Sequence, residues 1–194
     1  MDLIKKIKNI LINNKFYFSK VSYLAGDASS RDYFAISCNN AVYVLMYDND
    51  KNSLNNYVSV SKILNNYVTV PKIIKVFPNE NVLIMENFGE NKYSQLLNTQ
   101  NRKKLYSVAI DALIQIHSHK FTNCVPNYTS KIFLEESKLF FEWYVNRKSY
   151  KNINELKRTF SDLFICLFNT IKTLPKVFIH RDYHIDNLFY LENR

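Results

Sequence analysis

The chain has 194 residues, 47% of them hydrophobic, enough for one sizeable core or two small lobes sharing an interface. Its formal net charge of +9 raises nucleic acid as a partner, but the excess is mostly Lys scattered among Asn, Ile, Tyr and Phe, which reads as a solvated surface rather than a binding stripe. The three cysteines, Cys38, Cys124 and Cys166, are far apart and lack metal-ligand spacing, so a reduced, cytoplasmic protein without disulfides is expected.

The N-terminal stretch MDLIKKIKNILINNKF has no uninterrupted apolar run, which excludes a secretory or membrane-spanning segment there. Leu3, Ile4, Ile7, Ile10 and Leu11 share one helical face and Lys5, Lys6 and Lys8 fall mostly on the other. The spacing predicts a helix over 2–14 that packs on the body of the protein rather than on a membrane. Residues 16–24, FYFSKVSYL, read as a strand. After the loop 25–31, strands are expected over 32–38 and 41–47, joined at Asn39-Asn40, a two-residue turn suited to positive φ. A helix over 53–66 follows, then strands 70–76 and 82–86 around the turn Pro78-Asn79-Glu80-Asn81. Beyond the polar link ENFGENK (86–92) the pattern turns helical, with helices at 93–98, 100–118, 131–148 and 153–173. Short apolar strands are expected at 176–179 and 188–191. Strands first and helices second predict an α+β, two-lobe fold. An antiparallel sheet in 1–91 would be followed by a mainly helical part in 92–194, with a cleft at the join.

Only two glycines occur, Gly26 and Gly89, where average usage of about 7% gives roughly a dozen. A chain this poor in glycine tends to keep it where backbone geometry demands it. Gly26 opens the loop Gly26-Asp27-Ala28-Ser29-Ser30-Arg31, which can offer N–H groups and hydroxyls to phosphates. Taken alone it also reads as an ordinary hairpin turn. Gly89 follows Glu86-Asn87-Phe88, where a strand enters the interlobe link and can present its backbone to an adenine edge.

The chemistry concentrates in His180-Arg181-Asp182-Tyr183-His184-Ile185-Asp186-Asn187. Asp182 and Asn187 have the Asp-x4-Asn spacing of a phosphotransfer loop. A carboxylate there orients an acceptor hydroxyl and takes its proton. An amide oxygen a few residues on holds Mg²⁺ against phosphates. Roles for His184 and Asp186 stay open between structural and functional. A zinc site at His180 and His184 is disfavoured because the neighbouring ligands suit Mg²⁺.

These pieces, in their order, resemble the aminoglycoside phosphotransferase-like kinase family, which has a protein-kinase-like fold. Within it they are most similar to the sugar kinases that phosphorylate the anomeric hydroxyl of N-acetylmuramate and N-acetylglucosamine. The resemblance rests on GDASSRDYF (26–34), VLMYD (44–48), VPKII (70–74), LIMENFGE (83–90), LYSVAIDALIQIH (105–117), LFFEWYV (139–145) and HRDYHIDNLFYLE (180–192). It implies an ATP- and Mg²⁺-dependent phosphotransferase with a small-molecule sugar acceptor and neither nucleic acid nor membrane as partner. Asp182 is the implied base and Asn187 the metal ligand. Gly26, Asp27, Ala28, Ser29, Ser30 and Arg31 form the implied phosphate loop, and Glu86, Asn87 and Phe88 the adenine hinge.

Two departures stand out. The strand-three Lys and helix Glu of the general kinase pattern are both missing: residues 44–47 read Val-Leu-Met-Tyr, and no acidic residue occurs from Lys51 to Asn79. Arg31 is either the replacement cation or an exposed strand-edge Arg. The metal-binding Asp expected on the strand pair after the loop is also missing, since Leu188–Arg194 contain only Glu192 as a carboxylate. On a strand, Glu192 would lie roughly 15 Å from Asn187 at about 3.3 Å per residue. On this reading the chain as given is a truncated, catalytically inactive remnant that still binds nucleotide. Residues 188–191, lacking a hairpin partner, would then be an exposed apolar edge through which chains associate.

Overall fold

The computed structural model describes residues 2–26, 31–119, 125–145 and 152–192. The chain forms two compact units, Met1–Ser118 with Arg181–Arg194, and His119–His180. These are drawn differently from lobes at 1–91 and 92–194, because the last segment pairs with the link after the sheet.

In the first unit, α1 (Leu3–Asn13) starts at Asp2, whose Oδ1 accepts the Ile4 N–H at 3.1 Å. Lys15 takes φ 53° and Phe16 N–H donates to Leu11 O at 2.9 Å, turning the chain back. Phe16 and Phe18 therefore pack beside α1 rather than in a strand, and β1 (Lys20–Gly26) begins later than the sequence suggested. It pairs with β2 (Arg31–Cys38), which pairs with β3 (Ala41–Asp48). Asn39 (φ 47°) and Asn40 (φ 65°) form the expected two-residue turn between them. Then come α2 (Lys51–Leu64), β4 (Ile73–Phe77) and β5 (Val82–Glu86). The sheet order is β1-β2-β3-β5-β4, antiparallel throughout.

The side-chain period of two assigns each face of this sheet a helix. Phe34, Ile36, Leu45, Tyr47, Val82 and Ile84 pack against Ile7, Ile10 and Leu11 of α1. Met46, Leu83 and Met85 point the other way and pack against Leu54 of α2. Covering both faces explains why the middle of the sheet reads as an unbroken apolar run. The apolar face of α1 is thus spent on the sheet.

The first unit continues through α3 (Tyr93–Leu96) and α4 (Arg102–His117), and is rejoined by a 3₁₀ turn at Ile185–Asn187. The second unit is built on α5 (Ser130–Trp143) and α6 (Ile153–Ile171), joined by an aromatic ladder. Phe133 meets Phe164 and Phe168 at 5.4 and 5.5 Å, and Phe141 meets Phe160 edge-on at 4.6 Å. Cys38 and Cys166 are free thiols, and Cys124 lies outside the described residues. Among the described residues no helix is long and apolar enough to cross a membrane.

Two expected strands do not form. Residues 176–179 have no regular structure. At 188–191 there is one antiparallel bridge, Phe189 with Lys92, rather than a strand. That bridge corrects the exposed, unpaired edge inferred from the sequence. Tyr93 N–H donates to Leu188 O at 2.9 Å, Tyr190 N–H donates to Asn91 O at 2.8 Å, and residues 188–191 are half-buried. The partner is the link after β5, not a following hairpin strand.

Candidate active site

The loop from His180 to Asn187 alternates anchors with outward groups. Tyr183, Ile185 and Leu188 pack into a core formed by Tyr93 of α3 and Leu105 and Ala109 of α4. Tyr183 Oη donates to Ala109 O at 2.5 Å, and burial, with help from the nearby Tyr93, raises its pKa. Between these anchors Asp182, His184, Asp186 and Asn187 stay exposed, Asp182 by 70% of its side chain. Arg181, just before Asp182, holds φ 70°, a left-handed conformation of the kind that strained functional loops use to aim a side chain.

Asp182 and Asn187 are brought together. Asn187 Nδ2 donates to Asp182 Oδ2 at 2.6 Å and to Asp182 O at 3.0 Å. With its nitrogen committed to Asp182, the amide turns its oxygen away from the carboxylate. His184 fills the space between them: Nε2 lies 3.1 Å from Asp182 Oδ1 and 3.2 Å from Asn187 Nδ2. Its Nδ1 accepts the Asp186 N–H at 3.3 Å, the tautomer in which Nε2–H donates to Asp182. Both Asp182 oxygens are therefore oriented by neighbours. Among the described residues no three His, Cys, Asp or Glu side chains converge as a metal cage. A magnesium ion would instead use the Asn187 oxygen, hard and solvent-facing, with phosphate oxygens and water as further ligands.

At the other end of the sheet, Gly26 closes β1. A Cβ there would lie 2.7 Å from Tyr23 Oη, which donates to Asp32 Oδ1 at 3.1 Å. A side chain at 26 would therefore require the Tyr23 hydroxyl to shift. Asp27, Ala28, Ser29 and Ser30 lie outside the described residues.

Arg31 is neither free nor simply exposed. It stands opposite Asp48 in the β2–β3 register. Its Nε donates to Asp48 Oδ2 at 3.0 Å and its Nη2 to Ser53 Oγ at 2.7 Å. Its side chain is 26% exposed while Asp48 is fully buried. Burial works against the Arg31 charge, but the Asp48 hydrogen bond and the neighbouring Tyr33 outweigh it and its pKa is raised. Tyr57 of α2, 5.8 Å under the guanidinium, is pushed up to about 12, chiefly by burial and then by Tyr33.

The link after β5 is shaped by its own side chains. Asn87 Oδ1 accepts the Gly89 N–H at 2.9 Å, and Gly89 holds φ 78°. Glu86 is tied to Lys72 by two hydrogen bonds, Glu86 N–H to Lys72 O at 2.8 Å and Lys72 N–H to Glu86 Oε2 at 3.2 Å. Phe88 meets Phe189 edge-on at 5.9 Å, joining the link to a residue two beyond Asn187. The sequence analysis gave Phe189 and Asp48 no part in the site, Phe189 being placed on an apolar edge and Asp48 only in the VLMYD stretch. The signal for Asp48 was a carboxylate directly ending an apolar strand.

A five-stranded antiparallel sheet leading through a short link to helices and an Asp-x4-Asn loop defines the protein-kinase-like fold. Solved structures bear this out. Choline kinase LicA from Streptococcus pneumoniae superposes with a TM-score of 0.66 at 14% identity, over 96% of this chain and 64% of that one. A spectinomycin phosphotransferase in complex with ADP and its antibiotic gives 0.59 at 12%, over 97% and 65%. Residues 20–194 match the model of the phosphotransferase enzyme family, and the chain belongs to that family. An N-acetylmuramate/N-acetylglucosamine kinase of Pseudomonas putida is 31% identical over 107 residues, 55% of this chain and 32% of that protein. One of Neisseria meningitidis is 24% identical over 181 residues, 90% of this chain and 54% of that protein. The chain thus spans between about a third and about half of these relatives.

Proposed function

We propose that this chain serves ATP-dependent phosphoryl transfer to a hydroxyl of an amino sugar such as N-acetylmuramate or N-acetylglucosamine, in the cytoplasm. The observation that carries the reading is the Asp182–Asn187 clasp on a loop anchored by Tyr183. Asp182 orients the acceptor hydroxyl and takes its proton as the phosphoryl group transfers. Glu86, Asn87 and Phe88 receive the adenine, and the segment Gly26 to Arg31 meets the phosphates. Asn187 would hold Mg²⁺, whose charge offsets that of the phosphates. The sugar acceptor is supported by the names of the relatives and by the GDAS, Glu-Trp-Tyr and HRDYH-x-DN wording of the sequence.

Two measurements test this. Millimolar Mg-ATP should raise the melting temperature, because a ligand that binds only the folded state stabilises it. Gly26→Val should shrink that shift, and Asp182→Ala should keep it. Addition of N-acetylmuramate should release ADP at a rate that Asp182→Ala lowers by about 10²–10⁴-fold. A chain that binds Mg-ATP but releases ADP no faster than Asp182→Ala is the nucleotide-binding, inactive alternative. An unchanged melting curve would refute the hinge assignment.

A further inference from the structure

The strand-three Lys and its helix Glu are missing, yet the phosphates of a nucleotide need a fixed cation. The described sheet carries one buried charged side chain, Asp48, at the end of the strand where that Lys would be sought. Its partner, Arg31, is the first residue of β2, next in sequence to residues 27–30. We propose that Arg31 and Asp48 together replace the missing pair, with Asp48 and Ser53 gripping one edge of the guanidinium so that its other edge meets the nucleotide phosphates. The inference rests on the nucleotide-binding reading above and adds Asp48 and Ser53 as positioning residues.

The geometry is specific. The Nε–H and one Nη2–H form one edge of a planar guanidinium, and these donate to Asp48 Oδ2 at 3.0 Å and Ser53 Oγ at 2.7 Å. Arginine has five N–H donors, so this grip, with the neighbouring Tyr33 as a further partner, leaves donors for an incoming anion. Asp48 is itself fixed, since its Oδ1 accepts the Asp50 N–H at 2.9 Å. Asp50 in turn caps α2 by accepting the Asn52 N–H at 2.9 Å. The carboxylate therefore ties β2, β3 and the start of α2 to one point, as a lysine–glutamate pair ties a strand to a helix. A lysine at 31 would still neutralise Asp48. It is a point charge on a flexible stem, however, and cannot reproduce the planar Nε–Nη2 edge that Asp48 and Ser53 hold in one orientation.

The test compares the affinities of Mg-ATP and adenosine for the 194-residue chain by calorimetry. Wild type should bind Mg-ATP about 100-fold more tightly than adenosine. Arg31→Lys, which keeps the charge Asp48 needs for folding, should lower that preference about tenfold through ATP alone. Arg31→Met combined with Asp48→Leu replaces the buried pair by apolar groups, an exchange that often preserves folding. It should bind adenosine as wild type does and show the largest loss of preference. Ser53→Ala should lose about threefold. A folded double variant that keeps the full preference would overturn the proposal, as would equal weakening of both ligands by Arg31→Lys, the mark of a purely structural brace. Wild-type binding of adenosine with no preference for ATP would overturn this inference alone. Binding of neither ligand would remove the nucleotide reading and the inference with it.

Discussion

The sheet and α6 hold their apolar side chains in opposite ways. Phe34 has no exposed surface, because α1 covers one face of the sheet and α2 the other. In the helical pair Trp143 is 66% exposed, Leu163 is 64% exposed, and among the described residues α6 buries none of its side chains. A sheet between two helical layers buries both faces of every central strand. Two helices side by side bury only the stripe where they meet, and α6 is apolar over more than that stripe. The lesson is that apolar composition alone does not locate the core: the number of covering layers does.

The largest expected contrast is between single truncations in the two regions. Phe34→Ala should cost about 3–5 kcal/mol, whereas Leu163→Ala should change stability by less than about 0.5 kcal/mol. Amide exchange read region by region is the suitable measurement, because it resolves local opening from global unfolding. Exchange as slow in α6 as in β3 would break the comparison.

Next comes the buried ion pair. Arg31→Ala leaves Asp48 fully buried without its cation and should destabilise the sheet by about 3–5 kcal/mol in urea titrations. Replacing both partners by Met and Leu should recover most of that loss. An equal loss in the double variant would mean that the polar contacts to Ser53 and Asp50, not the charge, matter most.

Alkaline pH probes the same region more gently. Tyr57 is pushed up to about 12 from an ordinary value near 10. Below pH 10 it is neutral in both states and its contribution is whole. Between pH 10 and 12 the unfolded chain loses the proton first, so stability should fall by roughly 2–3 kcal/mol. Tyr57→Phe should flatten that limb. A limb of the same slope in the variant would assign it to other groups.

The smallest effect expected is in the β2–β3 turn. Asn40 sits at φ 65°, so Asn40→Ala should cost about 1 kcal/mol and Asn40→Gly close to nothing. Equal costs would mean that the Asn side chain, rather than the backbone conformation, sets the turn.

Much of this architecture is local and was legible in the sequence. The Asn39-Asn40 turn, the α1 periodicity, the five strands and the Asp182–Asn187 spacing depend on neighbours a few residues apart, where turn chemistry and side-chain period act directly. Even the Arg31–Asp48 pairing was within reach, since 31 and 48 stand eight residues outside Asn39 and Asn40 and a two-residue turn fixes that register. Where the sequence misled, long-range contacts had won. Residues 16–18 look like strand but pack beside α1, and 188–191 look like an orphan strand but pair with the link at 91–93.

By itself, then, the sequence determined the order of the five sheet strands and of the long helices, the antiparallel pairing of neighbours and the Asp182–Asn187 spacing, because each is written in spacings shorter than one element. Tertiary structure alone decided that Asp48 is fully buried, that Arg31 is gripped by it and by Ser53, and that Phe88 meets Phe189. Burial and contact of this kind depend on which layer of the fold covers a residue, and that covering layer can come from any distance along the chain.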